Sequence, residues 1–321
     1  MIFIITLISF TVSFIIFPIV IPRLKKAGIV GRNVNSKSQE EIPEMGGLVI
    51  AAGFSAGIIA AIALRTFFQI FPSINLTSIY GVLSTILIVV LIGVFDDLIS
   101  IRQGVKAIMP VFAALPLMAI KEGFSIMNIP FVGLVDFGIL YPLILVPFGI
   151  TGAANAANML AGFNGLEAGL GMIIVFSLSI IAFLMGQITA LIILLSVLGT
   201  LMATIYFNWY PAKILIGDVG TLSIGAVVAA AVIIGNFETA GIIVVIPFVV
   251  DFIIKAKNHF PSKHWSGLYR NGKLYCPKEG PISLCQWIMK INGGISERNL
   301  VLTLMAVELI FGILAILFYV Y

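Results

Sequence analysis

Apolar runs of about 17 to 25 residues recur along nearly the whole chain, long enough as helices to cross a bilayer. In hydrocarbon every backbone N–H and C=O must be bonded within the protein, which leaves helices or closed barrels. Unbroken apolar runs, with no period-two alternation, predict helices. Ten spans are expected, at 1–22, 46–70, 79–96, 106–121, 138–157, 169–185, 188–207, 221–236, 240–257 and 299–321. The first has no basic residue ahead of it and no small-residue cleavage site, so it reads as a retained helix rather than a signal peptide. Of the 321 residues 60% are hydrophobic and 10% charged, so no polar region is long enough to fold separately. The expected fold is all-α, a polytopic helix bundle forming a single transmembrane domain over 1–321.

Charge placement orients the bundle. Ten spans put the loops 23–45, 97–105, 158–168, 208–220 and 258–298 on one side. That side and the adjoining helix ends hold sixteen of the eighteen Lys and Arg residues; Arg65 and Lys121 are the exceptions. By the positive-inside rule these loops are cytoplasmic and both termini lie opposite. Cys276 and Cys285 are too few for a disulfide framework and match no usual zinc spacing, so they read as incidental thiols.

Nearly every polar cluster falls on the same five loops. "GVFDDLISIRQGVK" (93–106) ends the third span with Asp96 and Asp97, which point about 100° apart on a helix and so suit different tasks. Lys106 opens the next span, where it can hold an anionic group. In "NAANMLAGFNGLEAG" (155–169), Asn155 and Asn158 share a helix face. Gly162 and Gly165 permit a tight backbone that can approach a phosphate, with Asn164 and Glu167 on the loop. Small-residue packing explains the alanines and glycines of this stretch but not its amides. In "ILIGDVGTLSIGA" (214–226), Asp218 stands between glycines just before a helix, where free N–H groups suit phosphate; a plain helix cap reads equally well. Asp218 and Asn158 offer hard oxygen ligands suited to Mg²⁺ beside substrate oxygens. "NHFPSKHWSGLYRNGKLYCP" (258–277) gathers Lys263, His264 and Arg270 on a basic surface fit for lipid headgroups or for a nucleotide-sugar diphosphate.

These segments, in order, resemble the polyprenyl-phosphate N-acetylhexosamine-1-phosphate transferase family over most of the chain. "KAGIVGRNVNS…IPEMGG", the Asp-Asp segment and above all "NMLAGFNGLEAG" resemble its eukaryotic-type branch, the UDP-GlcNAc:dolichyl-phosphate GlcNAc-1-phosphotransferases. The resemblance implies ten helices and a Mg²⁺-dependent transfer (Mn²⁺ as an alternative) of sugar 1-phosphate from a UDP-sugar to a polyprenyl or dolichyl phosphate, with release of UMP. Carried over by position, Asn158 and Asp218 ligate the metal, and Lys106 holds the acceptor phosphate near Asp96 and Asp97. Asn164 meets the uracil, and Glu44 with the 31–35 backbone borders the nucleoside. Lys263, His264 and Arg270 face the diphosphate and sugar. The branch carries an Arg-His-Arg cluster where this chain has "SKHW", and Gln103 replaces an aromatic residue, so the hexosamine is left open. The resemblance further implies surrounding membrane lipid, no nucleic-acid partner and room for a homodimer. The protein would sit in the cell membrane of a prokaryote, or in the endoplasmic reticulum of a eukaryote.

Such transfer needs positioning and charge neutralisation more than a base, because a phosphate monoester already carries roughly −1.5 to −2 charge. A transporter or flippase for an anionic solute is the rival, and it predicts charges near the midplane. Asp251 and Glu308 are the candidates, and Asp251 is one helical turn from Lys255.

Overall fold

The computed structural model describes residues 2–35, 40–129, 132–261 and 266–320. Lys263 and His264 lie outside the described residues. The chain begins with α1 (Phe3–Lys26), then an antiparallel hairpin of β1 (Val30–Arg32) and β2 (Glu41–Pro43), then α2 (Gly47–Phe68). α3 (Leu76–Ile99) starts at Asn75, whose side chain accepts the N–H groups of Thr77 and Ser78 and so satisfies two donors that the first turn leaves free. The next apolar stretch is broken into α4 (Gln103–Ile108), α5 (Pro110–Ala113) and α6 (Leu115–Ala119), since Pro110 and Pro116 each remove a helix hydrogen bond. A hairpin of β3 (Ile126–Ile129) and β4 (Gly133–Asp136) precedes a π-helical turn, Tyr141–Leu145, which feeds α7 (Val146–Met159).

The second half contains α8 (Leu166–Leu184), α9 (Ile188–Asn208) and α10 (Gly217–Gly235). α11 (Glu238–Val244) and α12 (Ile246–Lys257) meet at a 57° bend, with Pro247 at the start of the second piece. The hairpin β5 (Leu268–Arg270) and β6 (Lys273–Tyr275) and the short α13 (Leu284–Ile291) follow, and α14 (Glu297–Val320) closes the chain.

Every expected span falls on helix, but the count differs. Among the described residues seven helices are long and apolar enough to cross a membrane, or eight if the bent α11–α12 pair is one span. The expected spans at 106–121 and 138–157 are short pieces, broken by proline and by the π-helical turn. Two boundaries also move. Asp218 lies in the first turn of α10 rather than before it, and Glu167 lies in the first turn of α8 rather than on the preceding loop.

α10 is the centre of the bundle. Its most apolar window is 89% buried, against 22% for α1 and 33% for α14. Helices in lipid gain little from the hydrophobic effect and associate by close packing, which favours small residues where backbones approach. At Gly47 of α2 a methyl group would strike the backbone of Gly220 on α10. At Gly93 of α3 it would lie 2.5 Å from the Val219 Cα, and at Gly225 of α10 it would strike Ala153 of α7. The helices bearing the polar motifs therefore meet α10 nearly backbone to backbone.

This packing makes a paired prediction. Gly47→Ala must push α2 off α10 and should cost about 1–3 kcal/mol. Gly104→Ala has nothing within 4 Å of the added methyl and should be neutral or slightly stabilising. Thermal unfolding in detergent distinguishes the two, and equal midpoints would contradict this packing.

Candidate functional site

A helix starting inside a protein leaves its first N–H groups without partners, and α10 starts beside the end of α3. Asp97 supplies the acceptors. Its Oδ1 takes the Asp218 N–H at 2.8 Å and its Oδ2 the Val219 N–H at 3.3 Å. The carboxylate also sits at the positive end of the helix dipole. The acid before it has another task. Asp96 accepts the Ile101 N–H at 2.7 Å through Oδ1, while its Oδ2 lies 2.5 Å from the Lys106 ammonium. The same ammonium lies 2.5 Å from Asp218 Oδ2. Lys106 is buried and held between two acids from separate helices. Asp96 and Asp97, adjacent in sequence, thus have different partners: Asp96 the Ile101 N–H and Lys106, Asp97 the first N–H groups of α10.

The asparagine-rich loop is held from five directions. Asn155, in α7, donates to the carbonyls of Ala107 and Thr151, both at 2.9 Å, tying α7 to α4. Glu167 reaches back from α8 to accept the Gly162 N–H. Glu297, at the start of α14, accepts the buried Asn164 N–H at 2.8 Å. Asn208, the last residue of α9, accepts the Gly165 N–H at 3.1 Å and donates to the Ile214 carbonyl at 2.8 Å, joining this loop to the segment before Asp218. Asn35 donates to the Gly162 carbonyl at 2.8 Å and brings in the first loop.

A cavity of about 1360 Å³ runs between these groups. Glu44, Asp97, Lys106, Asn155, Asn158, Asn164, Glu167 and Asp218 all line it, as does the 31–35 backbone expected to border a nucleoside. Asp96 stands behind Lys106, reaching the cavity through it. Arg270 is exposed on the β5–β6 hairpin and is not brought to the cavity wall among the described residues. Asn208 and Glu297 carry parts of the site and were not singled out from sequence; of Asn35 only the backbone was, and Lys255 was read only as the partner of Asp251. Lys255 pairs with Asp251 at 2.7 Å and donates to the Met159 carbonyl.

Glu44, Asp96, Asp97 and Asp218 crowd this end of the cavity with Lys106 as the ammonium among them, an excess of negative charge suited to a cation. The described residues contain no group of three or more His, Cys, Asp or Glu side chains able to hold a metal. A soft or zinc-like centre is therefore not indicated by those residues. One carboxylate and one amide, Asp218 and Asn158, on a cavity wall instead suit Mg²⁺, which keeps much of its shell as water and substrate oxygens.

Fold and site together define an integral membrane protein whose helical bundle holds a long cavity with an acid-lined, lysine-bearing end. Residues 79–236 match the family described as Glycosyl transferase family 4. A protein of Saccharolobus solfataricus, provisionally named a UDP-N-acetylglucosamine–dolichyl-phosphate N-acetylglucosaminephosphotransferase, is 38% identical over 97% of this chain and 94% of its own. The Dictyostelium discoideum protein of the same name, without the qualifier, is 25% identical over 89% of this chain and 80% of its own. A phospho-N-acetylmuramoyl-pentapeptide-transferase of Enterococcus faecalis is 32% identical over 78% of this chain and 80% of its own. The chain belongs to the polyprenyl-phosphate N-acetylhexosamine-1-phosphate transferase family.

Two predictions follow from the electrostatics. Asp97→Ala strips the acceptors from the start of α10 and should lower stability by about 1–2 kcal/mol, with Asp97→Asn costing less. Thermal melts of both variants read this directly. Burial first, and then the Asp218 charge, raise the Glu44 carboxyl above its ordinary 4.5. A raised carboxyl favours the fold fully below its unfolded value and loses that contribution as pH rises through the folded value. With divalent cations chelated, Glu44→Gln should therefore raise the melting temperature at pH 7, and the gain should vanish as pH falls below 4.5. A gain independent of pH would refute the assignment.

Proposed function

We propose that this chain transfers N-acetylglucosamine 1-phosphate, or a related N-acetylhexosamine 1-phosphate, from a UDP-sugar to a polyprenyl or dolichyl phosphate, releasing UMP. The observation that carries the reading is the shape of the cavity. Its charged end holds Lys106 and Asp218; from there it runs along apolar groups such as Leu145, Phe148, Val228, Val232, Ile233 and Val245, with Glu238, bonded by the Tyr141 hydroxyl, on its far wall. Asp218 to Ile233 spans roughly 22 Å of helix at 1.5 Å per residue, most of a hydrocarbon core. Phe148, Ile242 and Val249 are exposed on the outer face, which suits lateral entry of a prenyl chain.

The two substrates meet at the charged end. An oxygen of the lipid phosphate attacks the β-phosphorus of the UDP-sugar. The bond to the bridging oxygen breaks, and its electron pair leaves on UMP. Asp96 holds Lys106 so that its ammonium can neutralise the lipid phosphate. Asp218 and Asn158 are the residues that would hold Mg²⁺ (or Mn²⁺), which would offset charge on the diphosphate and the leaving group. Without such a cation, a diphosphate would face a net excess of carboxylates. Both oxygens of Asp97 are engaged by backbone N–H groups, which favours direct attack over a covalent aspartyl route. Lys263, His264 and Arg270 remain proposed contacts to diphosphate or sugar.

Placing the site on the cytoplasmic face has support from the charge bias and from the way the five loops bond to one another at one end of the bundle. The broken segments 103–119 and 141–159 are proposed to complete ten passes in a single transmembrane domain. Each starts or ends among these loops, and the far ends of the two come near the other end of α10, where Tyr141 packs beside Gly123 and Ile233.

Purified protein given Mg²⁺, polyprenyl phosphate and radiolabelled UDP-GlcNAc should move label into lipid with release of UMP. Chelation should stop the reaction and added Mg²⁺ restore it. Asp218→Ala and Asn158→Ala should abolish turnover, and Lys106→Ala should lower it about 10²–10³-fold. Full activity in Asp218→Ala, or none in the wild type with UDP-GlcNAc, UDP-GalNAc or UDP-glucose, would overturn the reading.

A further inference from the structure

A second ammonium lies on the wall of the large cavity. Lys255, in α12, donates to the carbonyl of Met159, the last residue of α7, and pairs with Asp251 Oδ2 at 2.7 Å. Asp251 in turn accepts the Leu284 N–H through Oδ1 at 2.8 Å, at the start of α13. The two side chains thus join a helix C-terminus, where a cation is favoured, to a helix N-terminus, where an anion is. A lysine that caps a helix end ordinarily keeps its head in water. Here the Lys255 side chain is 12% exposed, Asp251 is fully buried, and both line the cavity. An ammonium has three N–H donors. Met159 and Asp251 take two, which leaves one for whatever fills the cavity.

Its place on α7 says which group that is. Asn155 ties α7 to the carbonyl of Ala107, the neighbour of Lys106, and Met159 lies four residues on, about 6 Å along the helix. Asn158 is on that turn. The helix of Lys106 and the Lys255 ammonium therefore meet α7 within one turn of each other. Lys106 is placed for the lipid phosphate, and the β-phosphorus must touch that phosphate to react. Among the described residues that line the cavity the cations are Arg32, Lys106 and Lys255, and Arg32 is exposed. We infer that Lys255 is a further substrate-binding residue: its ammonium donates to a non-bridging oxygen of the β-phosphate, the phosphate that is transferred, while Asp251 positions it. The ammonium offsets charge that would otherwise repel the attacking lipid phosphate. This rests on the reading of the cavity as a UDP-sugar site.

The test is titration calorimetry on the full chain in detergent with Mg²⁺. The probes are UDP and UMP, which lacks the β-phosphate. Lys255→Met alone would leave Asp251 buried and unpaired. The neutral pair, Asp251→Asn with Lys255→Met, avoids this and keeps an acceptor for the Leu284 N–H. It should bind UDP about ten- to a hundredfold more weakly than wild type does, and UMP equally well. Equal losses for both nucleotides, or no loss for UDP, overturn the inference. Asp251→Asn alone separates contact from scaffolding, and it decides the matter should the neutral pair not fold. It releases Lys255 from its counter-ion, so UDP should bind as tightly as to wild type or up to about fivefold more tightly. Weaker binding of UDP overturns the inference, since the ion pair then serves only to hold α7, α12 and α13 together. A wild type that binds neither nucleotide removes the UDP-sugar reading and this inference with it.

Discussion

The start of α10, set against the end of α3, is the constraint on which the site depends. The first N–H groups of a helix have no partners within it, and those of Asp218 and Val219 find theirs in Asp97. Asp97 provides them only because Gly93 lets α3 come within backbone distance of Val219. Gly47 does the same for α2 at Gly220. The close packing of apolar helices and the placing of charged groups are thus one problem with one solution. Once α3 and α10 are locked in this way, Asp96 and Asp218 come to flank the same ammonium, and Lys106 needs no further device to hold it.

Charge then divides the labour among similar side chains. Asp97 spends both oxygens on backbone, which makes it a poor nucleophile and a good scaffold. Asp96 gives one oxygen to Ile101 and one to Lys106, so it fixes the lysine's position. Asp218 faces the cavity with the remaining capacity. A buried ion pair seldom repays its full desolvation cost, so a lysine between two acids is poor evidence of stability. It is a sensible resting state for a site that handles anions, because an incoming phosphate and an accompanying cation can each take over one partner of the cluster.

The elements most legible in the sequence were those with a local signature. The apolar runs located the helices, and the Asp-Asp, Asn-rich and Gly-Asp motifs located three walls of the cavity. Boundaries failed where the signal was tertiary. Asp218 read as a residue before a helix because its cap, Asp97, lies 121 positions away. The count of spans ran ahead of what helix length supports, since hydropathy does not see the interruptions at Pro110, Pro116 and the Tyr141–Leu145 turn. Asn35, Asn208 and Glu297 were missed for a related reason. Asn208 is a lone polar residue at the end of an apolar helix, while Asn35 and Glu297 stand among other polar residues, and in each case only the distant partner reveals the task.

The same geometry separates transfer from transport. A carrier for an anionic solute needs charge in mid-membrane that is free to change partners. Asp251 is not free: one oxygen pairs with Lys255, and the other caps α13 by accepting the Leu284 N–H at 2.8 Å. Glu308 is buried in α14 with neither oxygen bonded, yet it does not line the large cavity. The large cavity instead joins a charged end to an apolar length, which suits a molecule with a phosphate head and a hydrocarbon tail. Such a molecule gains by stopping there, with its head at the helix ends and its tail among the helices, and a protein that holds it so has no need to move it across.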